Sequence, residues 1–176
     1  MKNAVAALVL AAFASPAGAE VLQSGPSGFE SEHRIETALA SARLYRLLAD
    51  VGSWWSDSHT YSGEAANLSL LAQPGGCWCE KMPDGGGIEH MRVVQAQPGR
   101  KLVLTGSLGP LVTEATTGVM QLSVEPKGSG STLVLNYRVA GFYKGDGARL
   151  AKLVDQVLGQ QAKSLHKTAE DLAIRR

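Results

Sequence analysis

The sequence predicts an α+β fold: a curved antiparallel sheet of six to seven strands wrapped around a long C-terminal helix, with two short helices after the first strand. Three observations predict it. A train of alternating, turn-separated segments runs from residue 67 to 142. A single helix-periodic apolar pattern closes the chain over 147–172. One strand and a short helical stretch come before both. A sheet and a helix with one apolar face each bury both faces by packing together, and a sheet that curls to do so leaves room for a cavity.

Residues 1–19 read as an export signal. Lys2 supplies a positive start, residues 4–14 are uninterrupted apolar, Pro16 breaks the run, and Ala17-Gly18-Ala19 suits cleavage before Glu20. The run falls well short of the roughly 20 residues that span a bilayer, so no integral membrane association is expected, and the protein is expected in the periplasm or secreted. Losing Lys2 balances the 17 basic residues against the 16 acidic ones. A net charge near zero, without a basic patch, argues against nucleic acid as a partner. Residues 20–28, with Ser24, Gly25, Pro26, Ser27 and Gly28, read as a flexible lead-in, and 29–172 as one domain.

From residue 29 to 38, Phe29, Ser31, His33, Ile35 and Thr37 alternate with a charged set, Glu30, Glu32, Arg34 and Glu36, so the first set faces inward. Ser41 is a candidate cap for a helix over 42–49 with Leu44, Leu47 and Leu48 on its apolar stripe. Residues 51–55 suggest a further helical turn, and 56–66 an irregular segment. Strands are then expected over 67–72, 77–82, 88–96, 100–107, 113–125 and 131–142, with Pro98-Gly99 suited to the centre of a type II turn. Met120, Leu122, Val124, Leu133, Leu135, Tyr137 and Val139 share the expected buried face. Asp146 can cap the last helix, whose stripe is read as Leu150, Leu153, Val154, Val157, Leu158, Leu165 and Leu172, interrupted by Gln161 and Ala169. The interruption points to a partly polar cavity.

The element order, with Ala-Asp-Val-Gly-Ser-Trp-Trp at 49–55, Pro-Gly-Gly-Cys-Trp-Cys-Glu at 74–80, Glu-His-Met-Arg-Val-Val at 89–94 and Pro-Gly-Arg-Lys-Leu at 98–102, resembles the START-like helix-grip superfamily (SRPBCC). That superfamily includes polyketide cyclase/dehydrases and Hsp90-ATPase-activator-like domains, and the chain looks like its small exported bacterial branch. The resemblance covers 29–172 and implies the helix-grip fold. It implies no single function, because lipid binding, ring cyclisation, dehydration and co-chaperone roles share that fold, and no catalytic signature carries over.

Trp54, Trp55, His59 and Tyr61 cluster in the segment expected at the cavity mouth, either as an aromatic gate or as core with a polar rim. With Trp78, Tyr137, Leu158 and Gln161 they are the candidate ligand-binding residues. Cys77 and Cys79 share one strand face about 6.7 Å apart, at the edge of disulfide reach. Free half-buried thiols are the first reading, a bridge the second and a metal site the last, since no complete ligand set is visible. Glu80 and His90 lie on successive strands at similar heights. Facing inward they would form a general acid–base pair; facing outward, a wet cross-strand pair. Phosphate-loop, dinucleotide and nucleophile-elbow motifs are missing from the sequence, Asp57 and Asp155 read as isolated acids, and neither cofactor nor metal is expected. The leading expectation is an exported protein that binds a small apolar or amphipathic ligand. The alternatives are a cyclase- or dehydratase-like enzyme using Glu80 and His90, and a partner-binding module with a filled cavity.

Overall fold

Eight strands form one antiparallel sheet in the computed structural model of the chain, which describes residues 20–175, so the signal-peptide reading lies outside the described residues. The strands are β1 Glu20–Gly25, β2 Gly28–Thr37, β3 Leu68–Leu70, β4 Cys77–Lys81, β5 Gly87–Gln97, β6 Lys101–Gly106, β7 Ala115–Lys127 and β8 Gly130–Phe142. Their order is β1-β2-β8-β7-β6-β5-β4-β3. Helix α1, Ser41–Ala49, follows β2, and α2, Gly147–Ile174, closes the chain. No helix among the described residues is long and apolar enough to cross a membrane.

The alternation in β2 turns out as the sequence predicts: Phe29, Ser31, His33, Ile35 and Thr37 are all buried. So are the paired inner residues of β7 and β8, among them Met120, Leu122, Leu135 and Tyr137. Gly99 has φ 76°, as the type II turn requires.

Four details differ from expectation. Residues 20–25 are not a flexible lead-in but an edge strand, joined to β2 by a two-residue turn at Pro26-Ser27. Backbone hydrogen bonds to β2 and packing under α2 hold it, neither of which composition reveals. The β7–β8 hairpin is tighter than expected, with Lys127 paired to Gly130 and Gly128 at φ 58°. Ser41 does not cap α1; Ala40 holds the cap position and no side chain accepts there. Asp146 does cap α2, accepting from the Ala148 amide at 2.9 Å.

The fourth difference concerns which face of α2 is buried. Ala151, Leu158, Gln161, Ala162, Leu165, Ala169 and Ala173 pack inward, while Leu153 is half exposed. Gln161 and Ala169 therefore belong to the buried stripe and do not interrupt it. The small alanines let the helix lie close over β1 and β2. The larger Leu150, Val154 and Val157 stand beside that contact, at a space the helix leaves open.

Candidate functional site

That space is a cavity of about 370 Å³ between the first turns of α2, the irregular segment after α1 and the loop after β6. Leu150, Leu153, Val154, Val157 and Leu158 form the helix wall; Trp55, His59 and Tyr61 face them, and Leu108, Gly109 and Pro110 complete the rim. The lining is mostly apolar, as small-molecule sites are. A second depression, of about 480 Å³, lies at the far end of α2 among Glu36, Lys127, His166 and Glu170. It is open and polar, with nothing to enclose an apolar body.

Of the candidate ligand residues, Trp55, His59, Tyr61 and Leu158 line the cavity and the other four do not. Trp54 is core, its indole Nε1 donating to the Leu47 carbonyl at 2.9 Å. Tyr137 is fully buried; its hydroxyl accepts from the Leu108 amide at 3.3 Å, and burial pushes its pKa up to about 12. Gly118 makes room for that ring, since a Cβ there would collide with it. Gln161 is completely buried and ties the segment over the cavity to α2: its Oε1 accepts from the Ser56 amide at 2.9 Å, and its Nε2 lies 3.2 Å from His59 Nδ1. Trp78 stands behind the wall, edge-on to Trp55 with ring centroids 5.1 Å apart.

Glu80 and His90 do face inward. His90 Nε2 lies 2.9 Å from Glu80 Oε2, with side-chain exposures of 7% and 0%. A β-bulge puts them there. Trp78 pairs with Met91 and Cys79 with Glu89, so His90 is the extra residue of β5, and both His90 and Met91 point into the core. Bulges re-aim a side chain in this way without ending the sheet. Gly106 lies alongside at φ 142°, where a Cβ would strike the His90 carbonyl. Burial pushes the Glu80 carboxyl up, but hydrogen bonds from Ser62 and His90 outweigh it and hold it below the usual range. The Ser62 amide donates to Glu80 Oε1, and the Tyr61 ring lies against His90 at 6.0 Å between centroids. Residues 61 and 62 therefore roof the pair.

The cysteine question is answered next to the bulge. Cys77 and Cys79 are bridged, with Cα atoms 5.4 Å apart, closer than on a flat strand, and the register shift against β5 falls between Trp78 and Cys79. The thiols are not free. Their sulfurs group with Glu89 on the outer face, but bridged sulfurs are poor metal donors, and Arg92 already pairs with Glu89.

A second buried pair was not legible. Asp155, far from an isolated acid, reaches from α2 to β2: its Oδ1 accepts from Ser31 Oγ at 2.5 Å and lies 3.0 Å from His33 Nε2. Burial lowers the His33 pKa, and Asp155 opposes the shift only in part. Two signals were available: His33 lies on the inward face of its strand, and Asp155 falls four residues after buried Ala151. Ser31 Oγ and Asp155 Oδ1 both meet the same ring nitrogen, His33 Nε2, at 3.3 and 3.0 Å, so the trio is a clamp and lacks the Asp–His–Ser chain of a nucleophilic triad.

No protein-family model matches the chain, and no curated protein matches it. Solved structures do share its fold. An uncharacterized protein from Rhizobium leguminosarum is 18% identical with a TM-score of 0.54, covering 80% of this chain and 97% of its own. The di-domain ARO/CYC StfQ from the steffimycin biosynthetic pathway is 17% identical with a TM-score of 0.56, covering 86% of this chain and 52% of its own. CalU16 from Micromonospora echinospora is 9% identical with a TM-score of 0.51, covering 84% and 86%. The architecture is thus the helix grip. At such identities the likeness speaks for the fold and for nothing finer.

Proposed function

We propose that this chain is an exported binding protein for a small apolar or amphipathic molecule, held between α2 and the segment 55–61. The cavity carries the reading: an apolar space of about 370 Å³ walled by Trp55, Tyr61 and five aliphatic side chains of α2. That volume lies within the usual range for ligand sites, and burial of apolar area at about 25 cal/mol per Å² supplies the drive, before the entropy of association is subtracted. Solved structures that share the fold include the ARO/CYC protein StfQ from the steffimycin biosynthetic pathway. A filled interior, which the partner-binding alternative needs, is at odds with this space. Export is supported by the signal-like residues 1–19 and by the Cys77–Cys79 bridge, since disulfides persist in oxidising compartments.

Titration with fatty acids, sterols and polycyclic aromatics, followed by tryptophan fluorescence, tests binding. Saturable quenching that Val154→Phe weakens at least tenfold is expected, because the larger ring fills the cavity. A flat response to every class would end this reading. Intact mass of the protein recovered from cells tests export, with cleavage before Glu20 expected and a retained leader as the contrary result.

A second reading is favoured by one observation. The buried Glu80–His90 pair leaves His90 Nδ1 without a partner, as a general base requires. An enzyme of the cyclase or dehydratase kind would use it to take a proton from a bound ketone or alcohol. Turnover of a β-hydroxyketone that His90→Gln abolishes would support that reading; turnover unchanged in the variant would exclude His90 as the base.

A further inference from the structure

We infer that the ligand of this cavity carries a hydroxyl group, read by two buried nitrogens that stand behind the cavity wall, His90 Nδ1 and Trp78 Nε1. The inference rests on the binding reading above and narrows it to an apolar, ring-sized body with a hydroxyl head.

Among the described residues, three buried side-chain polar atoms have no hydrogen-bond partner: Tyr45 Oη, Trp78 Nε1 and His90 Nδ1. Tyr45 belongs to α1. The other two lie on adjoining strands, where Trp78 pairs with Met91 next to the bulged His90. Each stands behind one aromatic wall residue, Trp78 behind Trp55 at 5.1 Å and His90 behind Tyr61 at 6.0 Å between centroids. Leaving a buried polar group unpaired costs about 1–3 kcal/mol, so two of them on adjoining strands, each against a wall residue, call for a complement.

The chemistry of the two atoms defines that complement. An indole Nε1 only donates. The Glu80 carboxylate, held by Ser62, accepts from His90 Nε2, so in the neutral ring Nδ1 presents a lone pair. The site thus offers one donor and one acceptor. A hydroxyl satisfies both at once. A ketone or ether would satisfy Trp78 alone, an ammonium His90 alone, and a carboxylate would add a second negative charge beside Glu80.

Tyr61 is the way in. It lines the cavity, is 44% exposed, and its hydroxyl donates to the Gly109 carbonyl at 2.7 Å across the mouth. Rotation about its side chain breaks that bond and uncovers His90, while Ser62 keeps its backbone bond to Glu80.

The test compares two molecules of nearly equal shape, 2-naphthol and 2-methylnaphthalene, by calorimetric titration of the purified chain. Wild type should bind the naphthol about tenfold more tightly, the scale of a hydrogen bond formed to otherwise unpaired buried groups. His90→Phe should reduce the ratio about threefold, to the share that Trp78 carries. Trp78→Phe, which leaves the Glu80–His90 pair intact and so remains informative should the first variant not fold, should reduce it about threefold. The ratio cancels any loss of cavity shape common to both molecules. Equal wild-type affinities, or a preference that survives both substitutions, would overturn the hydroxyl site and leave the cavity reading standing. If neither molecule binds at its solubility limit, the cavity reading fails and this inference falls with it.

Discussion

Two buried histidines meet carboxylates at almost the same distance, His90 with Glu80 at 2.9 Å and His33 with Asp155 at 3.0 Å, yet they sit in opposite roles. The Glu80 pair joins two neighbouring strands at a bulge, and its carboxylate also holds the backbone of Ser62 in the segment over the cavity. The Asp155 pair joins α2 to the sheet, and its carboxylate takes Ser31 as a further donor. One pair fixes a roof and leaves a ring nitrogen over; the other fixes the gripped helix. A His–carboxylate pair is therefore no mark of a functional site in itself. What distinguishes the two is the atom left unsatisfied and what stands beside it.

Removing each carboxylate sharpens the contrast most. Glu80→Ala strands His90 and the Ser62 amide in the interior, and urea unfolding should show a loss of about 3 kcal/mol. Asp155→Ala should cost about 2 kcal/mol, less because Asp155 keeps 18% side-chain exposure while Glu80 keeps none. The second variant should loosen α2 from β2, seen as faster amide exchange in Ser31 and His33; the first should loosen residues 56–62. Exchange that rises in the same places for both would erase the distinction.

Reduction of Cys77–Cys79 has a smaller expected effect, about 1.5 kcal/mol from the short loop it closes. It should appear on the Glu80 side alone, because Glu80 directly follows Cys79 on β4 while β2 and α2 lie across the sheet. A reduced protein with unchanged unfolding midpoint would show that the bulge holds without the bridge.

Acid separates the pairs with the gentlest effect. The His33 pKa in the folded protein lies below its ordinary 6.5, so the unfolded chain binds its proton first. The stability tied to neutral His33 is complete above pH 6.5 and declines as pH falls through the window beneath it. Glu80 lies below its ordinary 4.5, so its contribution is complete above pH 4.5 and is lost only in stronger acid. Two stages are expected in a plot of unfolding free energy against pH, and His33→Gln should remove the first while sparing the second. A single stage, unmoved by that substitution, would contradict the His33 assignment.

The architecture was largely legible, and particular residues show why. The charged set Glu30, Glu32, Arg34 and Glu36 can only face water, which sends Phe29, Ser31, His33, Ile35 and Thr37 inward. Turn glycines and prolines delimit the strands because few other residues adopt those backbone angles. The site was half legible. Trp55, His59, Tyr61 and Leu158 could be placed at the cavity from the order of elements, whereas Trp54, Tyr137 and Gln161 are occupied elsewhere and Trp78 stands behind Trp55, through contacts that periodicity does not encode.

Local chemistry thus determined by itself the strand train, the capped final helix and the inward-facing sets, since period and turn propensity act over a few residues. Three matters were decided by the tertiary structure: the bulge that turns His90 inward beside the Cys77–Cys79 bridge, the meeting of Asp155 with Ser31 across 124 residues and with His33 next to it, and the face of α2 that is buried. Each depends on register or rotation between distant segments. A shift of one residue or a third of a helical turn changes which atoms meet while leaving the local pattern almost the same.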